Sequence, residues 1–257
     1  MRFAKSLLVA AVVAVSGVAF SGPVFAAGEV PVPPKQSWPH GGFFGTFDRA
    51  AAQRGFQVYK EVCSACHAMK QMRYRNLAGI GLSEAEIAAI AAEYETTDGP
   101  NDEGEMFQRP SRASDRFKSP FANEQAARAV NNGAYPLDLS LIAKNRAGAE
   151  NYVYALMTGY ADPPADMKIA DGMNYNKWFP GHQIAMGQPI QPDGVQYADG
   201  TKATVEQMSK DVATFLAYAA SPHLEARNSL GIKVMIFLFI FTGLLYATKR
   251  KIWKGLH

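Results

Sequence analysis

A chain of 257 residues, 48% apolar and 19% charged, is long enough for a sizeable domain with its own core, and its composition excludes a wholly disordered or fibrous protein. The formal charge of +3 is concentrated at the ends, in Arg2 and Lys5 and in Lys233, Lys249, Arg250, Lys251 and Lys254. Setting those seven aside leaves 19 basic against 23 acidic residues, so the body carries −4, which disfavours a nucleic-acid partner and favours a basic protein partner.

Residues 1–26 read as a cleaved signal peptide. Arg2 and Lys5 form a basic start, Leu7 to Phe20 is apolar, and Val24-Phe25-Ala26 offers small residues before a cut. An uncleaved anchor is the competing reading, but the apolar run is short and ends in Gly22-Pro23. A Pro- and Gly-rich entry follows from Pro31 to Gly45, and Thr46 as N-cap predicts a helix with Asp48 in its first turn. Ala51, Phe56, Tyr59, Val62 and Cys63 continue it at helical spacing.

Ser83 and Glu86 form a capping box for a second helix that buries Ile87, Ile90 and Ala91. Short helices are expected at Glu124–Val130 and Asn151–Met157, the latter stopping near Gly159. Between Asp162 and Thr201 the Pro, Gly, Asn and Asp content predicts long ordered loops with a short hairpin. A further helix starts at Thr204, with Gln207 completing a capping box and Met208, Val212, Phe215, Leu216 and Ala219 as its buried stripe. It ends near Ser221-Pro222.

The uncharged run from Val234 to Ala247 is 14 residues, a length also found in buried core helices. Ser229 to Thr248, however, is 20 residues, or roughly 30 Å as a helix, enough to cross a bilayer core. Lys233 can snorkel at one end, and Lys249-Arg250-Lys251 with Trp253 gives a positive-inside flank at the other. The organisation expected is therefore a signal peptide over 1–26, an exported domain over 27–226, a transmembrane anchor over 227–248 and a cytoplasmic basic tail over 249–257.

Two cysteines stand in Cys63-Ser64-Ala65-Cys66-His67, the C-x-x-C-H pattern of covalent haem attachment. On a helical turn the two thiols face one way, so each can form a thioether to one haem, and His67 offers its imidazole to the iron from the same side. A zinc site would need two more ligands, and no second Cys or Cys/His pair supplies them. A thioredoxin-like dithiol would need a βαβ context, whereas the flanks read as helix.

The sixth ligand decides between electron transfer and an open iron that reacts with small molecules. Met69 and Met72 lie too close to His67 to reach the opposite face, and Met208 falls on a buried stripe. Met106, Met157, Met167, Met173, Met186, His40, His182 and His223 remain. Met186 leads, because Pro180-Gly181 and Gly187-Gln188-Pro189 frame a loop able to hold a side chain over a flat cofactor, and His182 on the same loop comes next.

Gly45-Thr46-Phe47-Asp48, Gln53 through Cys63, Asn123 through Ala129, Asn131-Asn132-Gly133-Ala134, Asp138-Leu139-Ser140, Leu156 through Tyr160, Phe179 through Pro189 and Asp211 through Leu216 together resemble the cytochrome c1 family. That family provides the haem c subunit of the ubiquinol:cytochrome c reductase (bc1) complex. The resemblance implies a mainly α fold: a class I cytochrome c-like haem domain with long loops, plus one C-terminal transmembrane helix. It implies one haem c on Cys63 and Cys66, iron ligation by His67 and Met186, and Arg128 near a haem propionate, with Asn132 and Pro136 lining the same pocket. The additional cysteine pair of some bacterial members is absent, so packing must stiffen the Met186 loop.

The partners implied are cytochrome b and Rieske iron–sulfur subunits, a soluble c-type cytochrome as acceptor, and the membrane. The location implied is the bacterial inner membrane, single-pass, with the haem domain in the periplasm and the C-terminus in the cytoplasm. The resemblance also suggests a docking surface for the soluble cytochrome in Glu93, Glu95, Asp98, Asp102, Glu103 and Glu105, the alternative being a solvated loop partly neutralised by Arg109, Arg112, Arg116 and Lys118. Two other classes stand beside this one: a tethered carrier to a terminal oxidase or reaction centre, and an open-site haem enzyme such as a peroxidase.

Overall fold

The computed structural model describes residues 31–255, so the signal segment expected at 1–26 lies outside the described residues. Helix α1 spans Arg49–Glu61 and is capped by Asp48, whose carboxylate accepts from the Ala51 N–H at 3.0 Å. The start expected at Thr46 is therefore two residues early. Thr46 is already engaged, its N–H donating to the Pro39 carbonyl at 3.2 Å and closing the loop between them. A 3₁₀ turn over Cys63–Ala65 follows α1, and a second spans Tyr74–Ile80.

Helix α2, Glu84–Ala92, carries the capping box as expected: the Ser83 N–H donates to Glu86 Oε2 at 2.8 Å and the Glu86 N–H to Ser83 Oγ at 3.3 Å. The acidic segment after it is not all loop. Strand β1 (Glu95–Asp98) pairs antiparallel with β2 (Phe107–Pro110), in a register that sets Glu95 opposite Pro110 and Asp98 opposite Phe107. Arg109 holds the hairpin by pairing with Asp98 and with Asp115, the latter at 2.6 Å. That partial neutralisation agrees with the expectation for Arg109.

Helix α3, Glu124–Val130, has the expected bounds, with Asn123 accepting from the Ala126 N–H at 2.9 Å. A short α4, Ile142–Asn145, has no counterpart in the sequence reading. Helix α5, Glu150–Thr158, is one residue longer at each end than expected and stops at Gly159, where a Cβ would lie 2.6 Å from the Trp178 ring. The hairpin expected between Asp162 and Thr201 is β3 (Asn174–Tyr175) paired with β4 (Gln183–Ile184).

Helix α6, Val205–Ala220, buries its whole predicted stripe and most of its remaining surface, making it the axis of the core. Thr204 caps it, accepting from the Gln207 N–H at 3.1 Å, but Gln207 does not complete the box. Its side chain instead donates to both Asp211 oxygens at 3.0 Å, because a carboxylate only 1% exposed must be surrounded by donors. Arg54 supplies the others, a two-pronged pair at 2.9 and 3.0 Å, and also reaches Asp199 at 2.9 Å.

Helices α1 and α6 cross at Gly55, where a Cβ would stand 2.0 Å from the Asp211 carbonyl oxygen. Beside the crossing, Phe56, Tyr59, Tyr74, Phe117 and Phe215 form an aromatic cluster with ring centroids 4.9 to 6.0 Å apart. The domain is mainly α with long loops, as expected.

Helix α7, Leu224–Trp253, continues from a corner at Ser221-Pro222 and holds an apolar stretch long enough to cross a membrane, none of it buried against the rest of the chain. It extends beyond 227–248 at both ends. Its first turn is tied to the start of α1: Glu225 accepts from the Phe47 N–H at 2.7 Å and from Arg49 at 2.7 Å. The fold is thus a helical head with one C-terminal transmembrane helix.

Candidate haem site

The site begins where α1 ends. Val62 continues the helical hydrogen bonding to Val58, and the following 3₁₀ turn closes with the Cys66 and His67 N–H groups donating to the Cys63 carbonyl at 3.2 and 2.9 Å. Cys63 is half-buried and packs against the core; Cys66 is exposed; the two thiols are not joined. Desolvation, with the neighbouring Cys66 second, pushes the Cys63 thiol up to about 12.

His67 is half-buried, and its Nδ1 lies 2.7 Å from the Leu137 carbonyl oxygen. Burial lowers its affinity for a proton below the ordinary imidazole value, against the opposing pull of that carbonyl and of Asp138. A neutral ring with Nδ1–H given to a carbonyl leaves the Nε2 lone pair for a metal. Tyr59 steadies the same residue by donating to the His67 carbonyl at 3.2 Å, and the Leu139 N–H donates to the Ala68 carbonyl at 2.9 Å. Segment 137–139 therefore lies along His67-Ala68.

Pro136, half-buried, immediately precedes that segment. Arg128 is joined to it through Gly133, whose carbonyl accepts from the guanidinium at 2.7 Å. Arg128 also pairs with Glu124 at 2.7 Å, lies 5.6 Å from the Tyr135 ring centre, and is 47% exposed. Asn132 has a left-handed backbone (φ 50°), and its Nδ2 is 3.8 Å from where a Cβ on Gly172 would be. Loop 132 therefore meets the loop that leads into the β3–β4 hairpin. The segment carrying Arg128, Asn132 and Pro136 thus leads into Leu137 beside His67 and meets the loop at Gly172 through Asn132.

Met186 follows β4, is half-buried, and packs on the same core cluster as Cys63. Its carbonyl accepts from the Tyr160 hydroxyl at 2.9 Å. Asn176 braces the hairpin behind it, donating from Nδ2 to the Leu156 carbonyl at 2.8 Å and from its N–H to the His182 carbonyl at 3.0 Å. His182 turns back into that hairpin, with Nδ1 3.3 Å from the Asn176 carbonyl and its ring stacked 5.8 Å from Tyr175. Among the other methionines, Met69, Met72, Met157 and Met208 are buried in the core and Met106 is exposed. His40 is buried beside Phe47 and Glu150, away from the motif's hydrogen bonds.

Two supports escaped the sequence reading. Leu137 acts through a backbone carbonyl, which leaves no side-chain signature. Tyr160 was visible only as part of Thr158-Gly159-Tyr160, with nothing to say where its hydroxyl points. The donor set fits a haem c: two unpaired thiols three residues apart, an adjoining imidazole with one nitrogen already committed, and a braced thioether-bearing loop.

The cytochrome c1 family model matches residues 38–256. The chain is 51% identical over 224 residues to a mitochondrial cytochrome c1 haem protein of Arabidopsis thaliana, covering 87% of this chain and 73% of that protein. It is 47% identical over 236 residues to the cytochrome c1 of Rhodospirillum rubrum, covering 86% and 87%. A mitochondrial protein of Candida albicans named as the catalytic subunit of the cytochrome b-c1 complex is 48% identical over 222 residues, covering 86% and 77%. With its haem-attachment motif, helical head and apolar C-terminal helix, the chain belongs to the cytochrome c1 family of electron-transfer haem proteins.

Proposed function

We propose that the chain is the haem c subunit of a cytochrome bc1 complex, accepting single electrons from a Rieske iron–sulfur protein and passing them to a soluble c-type cytochrome. Cytochrome b would be its neighbour in the membrane; the Candida relative is named as a subunit of the cytochrome b-c1 complex. Cys63 and Cys66 would hold the haem through thioethers, and His67 Nε2 and Met186 Sδ would ligate its iron. The observation that carries this reading is the His67 Nδ1 contact to the Leu137 carbonyl at 2.7 Å, which orients the ring immediately after the two thiols.

When bound, haem c supplies a one-electron iron couple, which a Met ligand shifts to higher potential. The chain's own residues do the rest. His67 and Met186 would both hold the iron, which would leave no open position for small molecules. Arg128 offers a permanent charge to a propionate by exchanging its exposed partner Glu124, and Asn132 and Pro136 close the rim. No general base or nucleophile is required, and the subunit transfers electrons without catalysing quinol oxidation alone.

Residues 1–26 are removed on export, 27–226 form the periplasmic head, 227–248 cross the bacterial inner membrane, and 249–257 remain in the cytoplasm, as the basic last turn of α7 favours. A redox-monitored spectrum of detergent-solubilised membranes tests the proposal. The expected result is a Met-ligated haem c that copurifies with a b-type haem subunit and a Rieske protein. Absence of both companions would favour a tethered carrier, and colourless protein with both thiols open to alkylation would end the reading.

A further inference from the structure

Near the root of α7 lies an aromatic pair that the electron-transfer reading does not use. Phe43 and Phe44 are 56% and 80% exposed and meet edge to face at 5.4 Å. They form the tip of a loop closed by the Thr46 N–H and the Pro39 carbonyl. Glycines flank the pair at Gly41, Gly42 and Gly45, and from Gln36 to Phe47 the chain carries no Asp, Glu, Lys or Arg. An isolated apolar residue on a surface needs no explanation, but two adjacent, uncharged, glycine-framed rings at a loop tip do.

The loop's base fixes where the tip can reach. Phe47 stacks on His40, packs edge to face on Tyr218 in the last turn of α6, and donates its N–H to Glu225 in the first turn of α7. Glu225 lies only four residues, or roughly 6 Å of helix, above Ser229, where the apolar stretch begins. Phe43 and Phe44 are four and three residues from Phe47, a reach of up to about 14 Å. The tip can therefore sit at the level of the lipid headgroups that surround the root of α7.

We propose that the Phe43–Phe44 tip is a second membrane contact, inserted at the headgroup–acyl boundary of the leaflet from which α7 emerges. Continuity with the membrane helix and the absence of charge favour lipid as the occupant. Two rings on a narrow tip present far less surface than a stable protein interface buries. The pair would complement α7 by holding the head against the bilayer surface.

The test uses full-length holoprotein in phosphatidylcholine vesicles brominated either near the headgroup or near the chain end. Trp38, Trp178 and Trp253 together supply the baseline in the unaltered chain, and the quenching lost in W253F verifies that α7 is inserted, so failure of the span is distinguished from failure of this proposal. In F44W the added emission should be quenched about twofold more strongly by shallow than by deep bromines. F43W provides the second probe should F44W fail to accumulate. Added emission that neither bromine position quenches would overturn the proposal. Emission that shifts only when partner subunits are assembled would overturn it as well, assigning the tip to a protein contact.

Discussion

The Tyr160 hydroxyl donates to the Met186 carbonyl oxygen at 2.9 Å, so a residue just beyond the end of α5 holds the backbone of the proposed sixth ligand. The family's extra cysteine pair is absent, and this bond, with Asn176 behind it, is how packing stiffens the loop. Y160F removes the hydroxyl and keeps the ring. The loss of one buried hydrogen bond, about 1 kcal/mol, corresponds to at most ~40 mV in a one-electron potential. The midpoint should fall by up to that amount while the thioether-linked haem is retained, as potentiometric titration would read.

M186L is the sharper probe of the same loop. The covalent haem should remain, the potential should drop well beyond the Y160F effect, and the reduced protein should bind carbon monoxide that the unaltered protein resists. An unchanged potential would transfer ligation to another residue, with His182 first in line.

Gly55 leaves no room for a side chain. G55A places a methyl group 2.0 Å from the Asp211 carbonyl oxygen, so α1 and α6 must separate. Overpacking of this kind costs about 1–3 kcal/mol, here at the upper end because backbone rather than a flexible side chain must move. Thermal unfolding should show a lowered midpoint, with less haem-loaded protein accumulating.

Acid should loosen the β1–β2 hairpin first. The Arg109 guanidinium holds the Asp98 and Asp115 carboxyls below their ordinary values, so the unfolded chain binds their protons more readily than the folded one. Their contribution is complete above about pH 4 and disappears as pH falls through the lowered folded-state values. Amide exchange in residues 95–110 should accelerate across that window, and R109M should be less sensitive to pH there.

Much of the helical frame was legible in the residues. Ser83 and Glu86 marked the start of α2, the bounds of α3 were read as Glu124–Val130, and the stripe from Met208 to Ala219 found the core face of α6. The misreadings share a cause: two groups competed for one partner, and distant structure decided. Thr46 and Asp48 are both good caps, and it is the Asp48 carboxylate that takes the Ala51 amide. Gln207 would have closed its box had Asp211 not demanded donors. Strands β1 and β2 lack an alternating apolar pattern and are stapled by Arg109, so periodicity missed them. Of the proposed site, Cys63, Cys66 and His67 were marked by their spacing, and Met186 was ranked from its loop. The Leu137 carbonyl lies 70 residues from His67, and only folding brings it there.

The double grip of Glu225 on Phe47 and Arg49 joins the root of α7 to the helix that ends at the haem motif. The head is consequently clamped to its stalk and does not swivel on a slack tether. Under the proposed function, an acceptor diffusing along the membrane would meet the redox face at a height and angle set by this double grip, a search in two dimensions with one orientation favoured.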